Sequence, residues 1–204
     1  MSDIYVDENY ELNDKLLEGS EIGVLSFCGV GGPRGGKLIN EFSNTFEGKA
    51  SLVFIKDTKR SWWNNGRFED ILDMAIQHLK DSGCKRIFAI GNSMGGCGAL
   101  LASHFRPDIE RVYSFVPQAD PYNDSRWKHL TSRIQLIRWP TFATLECKTD
   151  FKIFFGTDAD DSHQCELFKA ANKEITYVDQ TAHNAIMVIK LRGDMPAIVK
   201  EFLK

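Results

Sequence analysis

The sequence predicts a three-layer α/β/α sandwich built on a mostly parallel central sheet. Short apolar runs rich in Val, Ile and Phe alternate with segments of helical period along almost the whole chain. Several of those runs are apolar throughout, as strands covered on both faces must be. The composition is that of an ordinary globular domain, with 204 residues, 43% hydrophobic and 26% charged. That length supplies one core, and no repeat, low-complexity tract or linker divides it, so residues 1–204 read as a single domain.

The elements follow in order. The first twenty residues are polar and acidic, with a short edge strand expected near residues 4–6. Residues 21–28 carry Ile22, Val24, Leu25 and Phe27 before a run of glycines, which reads as a buried strand. In residues 37–46 the spacing of Leu38, Ile39, Phe42 and Phe46 predicts a helix. Residues 51–56 form a second buried strand. Residues 67–80 are strongly amphipathic, and Ser82-Gly83 ends that helix. A third strand at 86–90 leads into a helix of small residues at 94–104, and a fourth strand covers 111–116. Beyond it come a strand at 151–155, a helix at 163–171 and a strand at 174–178. Residues 182–203 are mostly helical, interrupted near Gly193.

Charge and cysteine usage narrow the function classes. Net charge is −3, and no basic patch appears beyond short clusters such as Lys56 to Arg60, so neither nucleic acid nor an anionic membrane is an expected partner. The first residues lack the basic start and apolar run of a signal peptide, and no stretch approaches the roughly 18–20 apolar residues of a membrane span. Cys28, Cys84, Cys97, Cys147 and Cys165 are odd in number and contain no Cys-x-x-Cys pair. They read as small buried hydrophobes rather than a disulfide or zinc framework, and a reducing, cytoplasmic location is expected.

Chemistry enters at residues 86–101. An apolar strand runs into Gly91-Asn92-Ser93-Met94-Gly95-Gly96 and then into a helix, which is Gly-x-Ser-x-Gly in the strand–turn–helix context of a nucleophile elbow. The serine of such a turn has a strained backbone, and side chains two residues either side would strike neighbouring chain. Its place at a helix N-terminus favours developing negative charge. The bland alternative is a glycine-rich turn whose serine only caps the helix.

A serine hydroxyl needs a base, and the base needs an acid to fix its tautomer. In chain order both follow an elbow of this type, acid first. His183, in the loop after the last strand, is the expected base. His163 is its rival, while His78 and His104 sit on helices near the serine's strand and read as packing or surface residues. The acid is expected after the strand at 151–155, where Asp158, Asp160 and Asp161 compete. Asp161 stands three residues before Gln164 and reads as the N-cap of a capping box. Asp158 and Asp160 remain as the triad acid, Asp158 favoured slightly by its nearness to the strand end.

Acyl chemistry also needs two N–H donors for an oxyanion. Met94 supplies one by position, and the glycine-rich loop Cys28-Gly29-Val30-Gly31-Gly32 the other, from Val30 first and Gly29 next. The same loop runs into Gly31-Gly32-Pro33-Arg34-Gly35-Gly36-Lys37, which matches a phosphate-binding Gly-x-x-x-x-Gly-Lys. The residue after the lysine is Leu38 rather than Ser or Thr, and Pro33 removes an N–H, so a nucleotide site is not expected.

On these residues the chain resembles the α/β-hydrolase superfamily over nearly its full length. It is similar, more narrowly, to bacterial proteins encoded among surface-polysaccharide and glycosyltransferase genes. The segments that carry the likeness are Phe27-Cys28-Gly29, Phe54 through Trp63, the elbow, and Ser114-Phe115-Val116-Pro117-Gln118. The resemblance implies a minimal α/β-hydrolase fold and an acyl hydrolase or acyltransferase acting on esters, without metal or organic cofactor. The acid loop is shorter than the usual Gly-x-x-Asp pattern, which leaves the aspartate open. The segment at about 119–150 is long enough for a small cap only.

The expected reaction is ester cleavage by Ser93 through an acyl-enzyme, on a small-molecule ester such as an acylated sugar. Acyl transfer, a thioesterase, or a non-catalytic binding module on the same scaffold are the alternatives. Trp62 and Trp63, with Lys59 and Arg60 beside them, read equally as a platform for a sugar ring or as packing at the sheet edge. Arg126-Trp127 and Arg138-Trp139-Pro140 raise the same question.

Overall fold

In the computed structural model, which describes residues 1–31, 36–157, 161–179, 181 and 183–204, the strands form one eight-stranded sheet ordered β1-β2-β4-β3-β5-β6-β7-β8. They are β1 (Asp3–Val6), β2 (Tyr10–Lys15), β3 (Ile22–Phe27), β4 (Ser51–Asp57), β5 (Arg86–Asn92), β6 (Ile109–Phe115), β7 (Asp150–Gly156) and β8 (Ile175–Val178). β2 pairs antiparallel with both of its neighbours, β1 and β4; β4, β3, β5, β6, β7 and β8 run parallel. The helices are α1 (Phe68–Asp81), α2 (Met94–Phe105), α3 (Lys128–Thr131), α4 (Ser162–Ala170), α5 (Ala185–Arg192) and α6 (Met195–Phe202). No described helix is long and apolar enough to cross a membrane.

Successive residues of β3 and β5 serve opposite layers, as the strand period requires. Gly23 and Phe27 face one layer, where Leu79 of α1 approaches Gly23 and Phe68 packs 6.2 Å from the Phe27 ring. Phe88 and Tyr113 face the other, both packed on Phe202 of α6, at 5.3 and 4.8 Å between ring centroids. Helix α2 is buried on every side from Met94 to Ser103, which explains its small, apolar sequence. It packs against β5, β6 and β3, so the strand bearing the elbow lies near the middle of the sheet.

Two segments depart from expectation. Residues 37–46 are an irregular stretch leading into turns rather than a helix. The carbonyls that would extend a helix are drawn to the end of β3 instead: Ser26 Oγ donates to Glu41 O and Cys28 Sγ to Ile39 O. Phe42 takes a left-handed φ of 63°, which no helix interior admits. The helical spacing is nonetheless spent on burial, since Phe42 and Phe46 enter the core while Ile39 stays exposed. The second departure is β2, concealed by its sequence Tyr-Glu-Leu-Asn-Asp-Lys. Its buried polar groups are satisfied by partners distant in the chain, as burial demands. Lys56 Nζ donates to Glu11 and Asn13, and Asp14 meets His78 Nε2 at 2.9 Å. At Gly193 a left-handed φ of 78° separates α5 from α6, as the expected interruption required.

Gly98 of α2 lies under two aromatic rings: a Cβ there would stand 2.6 Å from Trp63 Cε2 and 2.7 Å from Phe27 Cδ1. Alanine improves helix propensity by about 1 kcal/mol, but overpacking a dense core costs about 1–3 kcal/mol. Gly98→Ala should therefore be net destabilising, seen as a lower urea midpoint with an unchanged m-value.

Candidate active site

The elbow is built by exclusion. A Cβ on Gly91 would lie 2.0 Å from the Gly95 carbonyl oxygen, and one on Gly95 would lie 2.1 Å from that of Phe27. The turn thus closes against itself and against the end of β3 in a way only glycine allows at these two positions. Between them Ser93 adopts φ 58°, ψ −125°, a strained conformation for a residue with a side chain. Its N–H is tied to Phe115 O at 2.8 Å, and its side chain makes no helix-capping hydrogen bond. A capping serine would have turned back to the helix; this one points away.

Ser93 Oγ meets His183 Nε2 at 2.9 Å. On the other side of the ring, His183 Nδ1 lies 2.9 Å from Asp161 Oδ2 and 3.1 Å from Oδ1. With a carboxylate at Nδ1, that nitrogen carries the proton and Nε2 is left to accept from the serine. The Trp127 ring packs 5.6 Å from the imidazole and shields it.

Asp161 is 2% exposed and is also held by Arg126, whose Nη1 donates to Oδ1 at 2.8 Å. Arg126 in turn grips Asp124 with Nε and Nη2, and Gln164 Nε2 donates to the same Asp124 and to Asp120 O. Burial alone would raise the Asp161 carboxyl. The hydrogen bonds and charges of His183 and Arg126 outweigh it and hold the group below its ordinary range.

This geometry corrects the capping-box reading. Asp161 does precede α4, yet its side chain makes no cap hydrogen bond, and Gln164 turns to Asp120 and Asp124 instead of back to residue 161. The carboxylate at His183 is that of Asp161. Asp158 and Asp160, the expected acids, lie outside the described residues. His163 is exposed, and the imidazole that meets Ser93 Oγ is that of His183. His78 binds Asp14 and His104 Nδ1 lies 3.0 Å from Glu146 O, the packing roles expected of them.

Met94 N–H opens α2, where the first turn of a helix leaves amides without intrahelical acceptors. Val30 is buried, and its carbonyl accepts from Arg60 Nε at 2.9 Å, which ties the loop to the segment after β4. The Gly29 N–H is engaged by Glu41 Oε1 at 3.1 Å, so Gly29 is not the free donor. It still serves close approach, since a Cβ there would stand 3.0 Å from Asn92 O and 3.7 Å from Ser93 Cβ. Burial pushes the Glu41 carboxyl up to about 7, against the opposing pull of the Gly29 N–H and Lys190.

No protein-family model and no curated protein sequence matches the chain. Solved structures do. The capsule O-acetyltransferase of Neisseria meningitidis serogroup A superposes with a TM-score of 0.71 at 19% identity, covering 96% of this chain and 93% of that one. Est1E from Butyrivibrio proteoclasticus gives 0.62 at 16% identity with both chains fully covered. An S-formylglutathione hydrolase from Agrobacterium tumefaciens gives 0.61 at 13% identity, again over the whole of both chains. The chain has the α/β-hydrolase fold.

Within this α/β-hydrolase fold the tryptophan pair is structural. Trp62 and Trp63 are fully buried and present no ring to a substrate, so the packing alternative holds. The buried Asp57 carboxylate draws the loop inward by accepting from Ser61 N, Ser61 Oγ and Trp63 N. Trp63 Nε1 donates to Met94 O at 2.7 Å, and Trp62 Nε1 to Gln118 Oε1 at 3.0 Å. Gln118 is the residue that sequence reasoning missed: buried, it places Nε2 3.1 Å from Ser93 Oγ. Its sequence signals were its place three residues after β6, the strand beside the elbow strand, and its membership of the segment Ser114 to Gln118 that carries the family likeness.

Asp161 carries a pH signature. A carboxyl held below its unfolded value stabilises the fold above that value, and the contribution is lost as pH falls through the folded one. Arg126→Ala removes a partner that holds Asp161 down and so raises the folded value. Urea midpoints measured between about pH 3 and pH 6 should fall less with acidification in the variant than in the wild type, and the variant should be the less stable of the two at neutral pH.

Proposed function

We propose that this chain is a serine hydrolase that cleaves a carboxylic ester through an acyl-enzyme. The observation that carries the reading is the continuous line Ser93 Oγ–His183 Nε2, His183 Nδ1–Asp161, at 2.9 Å for each link. Ser93 attacks the ester carbonyl as its proton passes to His183 Nε2, and the carbonyl electron pair moves to oxygen, stabilised by the N–H groups of Met94 and Val30. The alcohol leaves with the proton from His183. Water then gives a proton to His183 and attacks the acyl-enzyme, which returns Ser93 and releases the acid. Asp161 holds the imidazole tautomer and stabilises its positive charge. These residues need no metal for that sequence.

A hollow of about 360 Å³ reaches Asn92, the residue before Ser93, and is lined by Asn40, Glu41, Asn44 and Lys190 together with the apolar Ile39 and Ile186. Its carboxylate, amides and ammonium suit a hydroxylated substrate portion, such as an acylated sugar, better than a long lipid. Acyl transfer to a hydroxyl acceptor is the second reading, favoured by the full-length likeness to a capsule O-acetyltransferase. A small-molecule ester in a reducing, cytoplasmic compartment, with neither nucleic acid nor membrane as partner, completes the proposal.

Fluorophosphonate labelling with peptide mapping tests it. The wild type should be modified at Ser93, and His183→Ala and Asp161→Asn should slow labelling about 10³- to 10⁴-fold. A folded wild-type protein left unmodified would favour a non-catalytic binding module. Release of acetate from an acetylated monosaccharide, with and without a free sugar acceptor, then separates hydrolysis from transfer.

A further inference from the structure

Ser93 Oγ has a neighbour that the triad does not explain. Gln118 Nε2 lies 3.1 Å from Ser93 Oγ and 3.1 Å from Val116 O, while Gln118 Oε1 accepts from Trp62 Nε1 at 3.0 Å. These contacts settle the orientation of the amide, because an indole N–H can only donate and a carbonyl can only accept. The NH₂ group must therefore face both Val116 O and the nucleophile. The side chain is fully buried, and the main-chain carbonyl of the same residue accepts from Cys97 Sγ.

The surroundings are held in place at a cost. Trp62, Trp63 and Val116 have φ of 50°, 63° and 41°, values that bulky side chains avoid. Such strain persists only where neighbouring contacts over-determine it. Here the buried Asp57 carboxylate, with three donors from Ser61 and Trp63, supplies that restraint on the Trp62 side. The Val116 N–H, bonded to Phe154 O at 2.7 Å, supplies it on the other.

We propose that Gln118 is a catalytic residue that donates a hydrogen bond to the nucleophilic oxygen, with Trp62 as its positioning residue. This rests on the reading of Ser93 as nucleophile. With one lone pair of Oγ committed to Gln118, the hydroxyl hydrogen is directed to His183 Nε2, the remaining polar neighbour at 2.9 Å. As the Oγ–H bond breaks toward His183 and the Oγ–C bond forms, negative charge builds on Oγ, and a hydrogen bond to it strengthens. In the acyl-enzyme Oγ is an ester oxygen and a poor acceptor. When water attacks and the Oγ–C bond breaks, charge returns to Oγ, Gln118 again donates to it, and the proton comes back from His183. Gln118 thus assists both half-reactions without exchanging a proton.

The test measures the rate of fluorophosphonate labelling at Ser93 against pH for the wild type, Gln118→Glu, Gln118→Met and Trp62→Phe. An ionised glutamate still accepts from Trp62 but has no hydrogen for Ser93, so Gln118→Glu should label about 10- to 100-fold more slowly at neutral pH. Its rate relative to wild type should climb as pH is lowered, because a protonated carboxyl regains a donor. Gln118→Met should be slow by a factor that does not change with pH. Trp62→Phe, which removes only the donor that orients the amide, should lose less. Wild-type rates in both Gln118 variants, or a Gln118→Glu deficit that is constant with pH, would overturn the role given to Gln118. Absence of labelling in the wild type would instead overturn the hydrolase reading beneath it.

Discussion

The constraint on which the rest depends is the contact of the β5–α2 turn with itself and with the end of β3. Gly91 and Gly95 have no room for a Cβ, and that closeness holds Ser93 at its positive φ. The strain is affordable because the turn is flanked by well-packed elements: β5 is paired on both sides and α2 is buried throughout its first ten residues. The same contact brings the Val30 loop beside the start of α2. Ser93, the start of α2 and the Val30 loop are therefore positioned by one packing event.

Around this rigid centre the polar groups form a continuous chain. Gln118 stands on one side of Ser93 and His183 on the other. Beyond His183 the chain continues through Asp161, Arg126, Asp124 and Gln164 to Asp120, which joins the segment after β6 to the start of α4. A buried network of this kind is favourable only when nearly every member is satisfied. Asp161 illustrates the balance: burial works against its charge, and two cationic or ring N–H partners more than compensate. The short segment over the site thus has a task besides shielding, since Arg126 and Trp127 both bear on the histidine and its acid.

Much of this was legible in the sequence. The parallel strands, α1, α2 and the elbow all show in local pattern, because apolar period and glycine placement are local consequences of burial and close approach. Ser93 and His183 were readable for the same reason: each follows a strand end. Asp161 was misread because its place before Gln164 imitates a helix cap, and only its distance to His183 separates the two roles. Gln118 ends a segment that carries the family likeness, but nothing local shows its orientation, which is set by Trp62, 56 residues away in sequence. Residues 37–46 and β2 failed in opposite ways. The first has helical spacing overridden by hydrogen bonds to the end of β3, and the second hides strand structure behind polar residues whose partners lie elsewhere in the chain.

The central claim is that Asp161, His183 and Ser93 form one hydrogen-bonded line. Proton NMR of the downfield region tests it directly, through the exchangeable proton on His183 Nδ1 shared with the carboxylate. The account predicts one low-field resonance in the wild type that is lost in His183→Ala and in Asp161→Asn and retained in Asp158→Asn and Asp160→Asn. A resonance that survives Asp161→Asn, or that disappears with either of the other two aspartates, would contradict it.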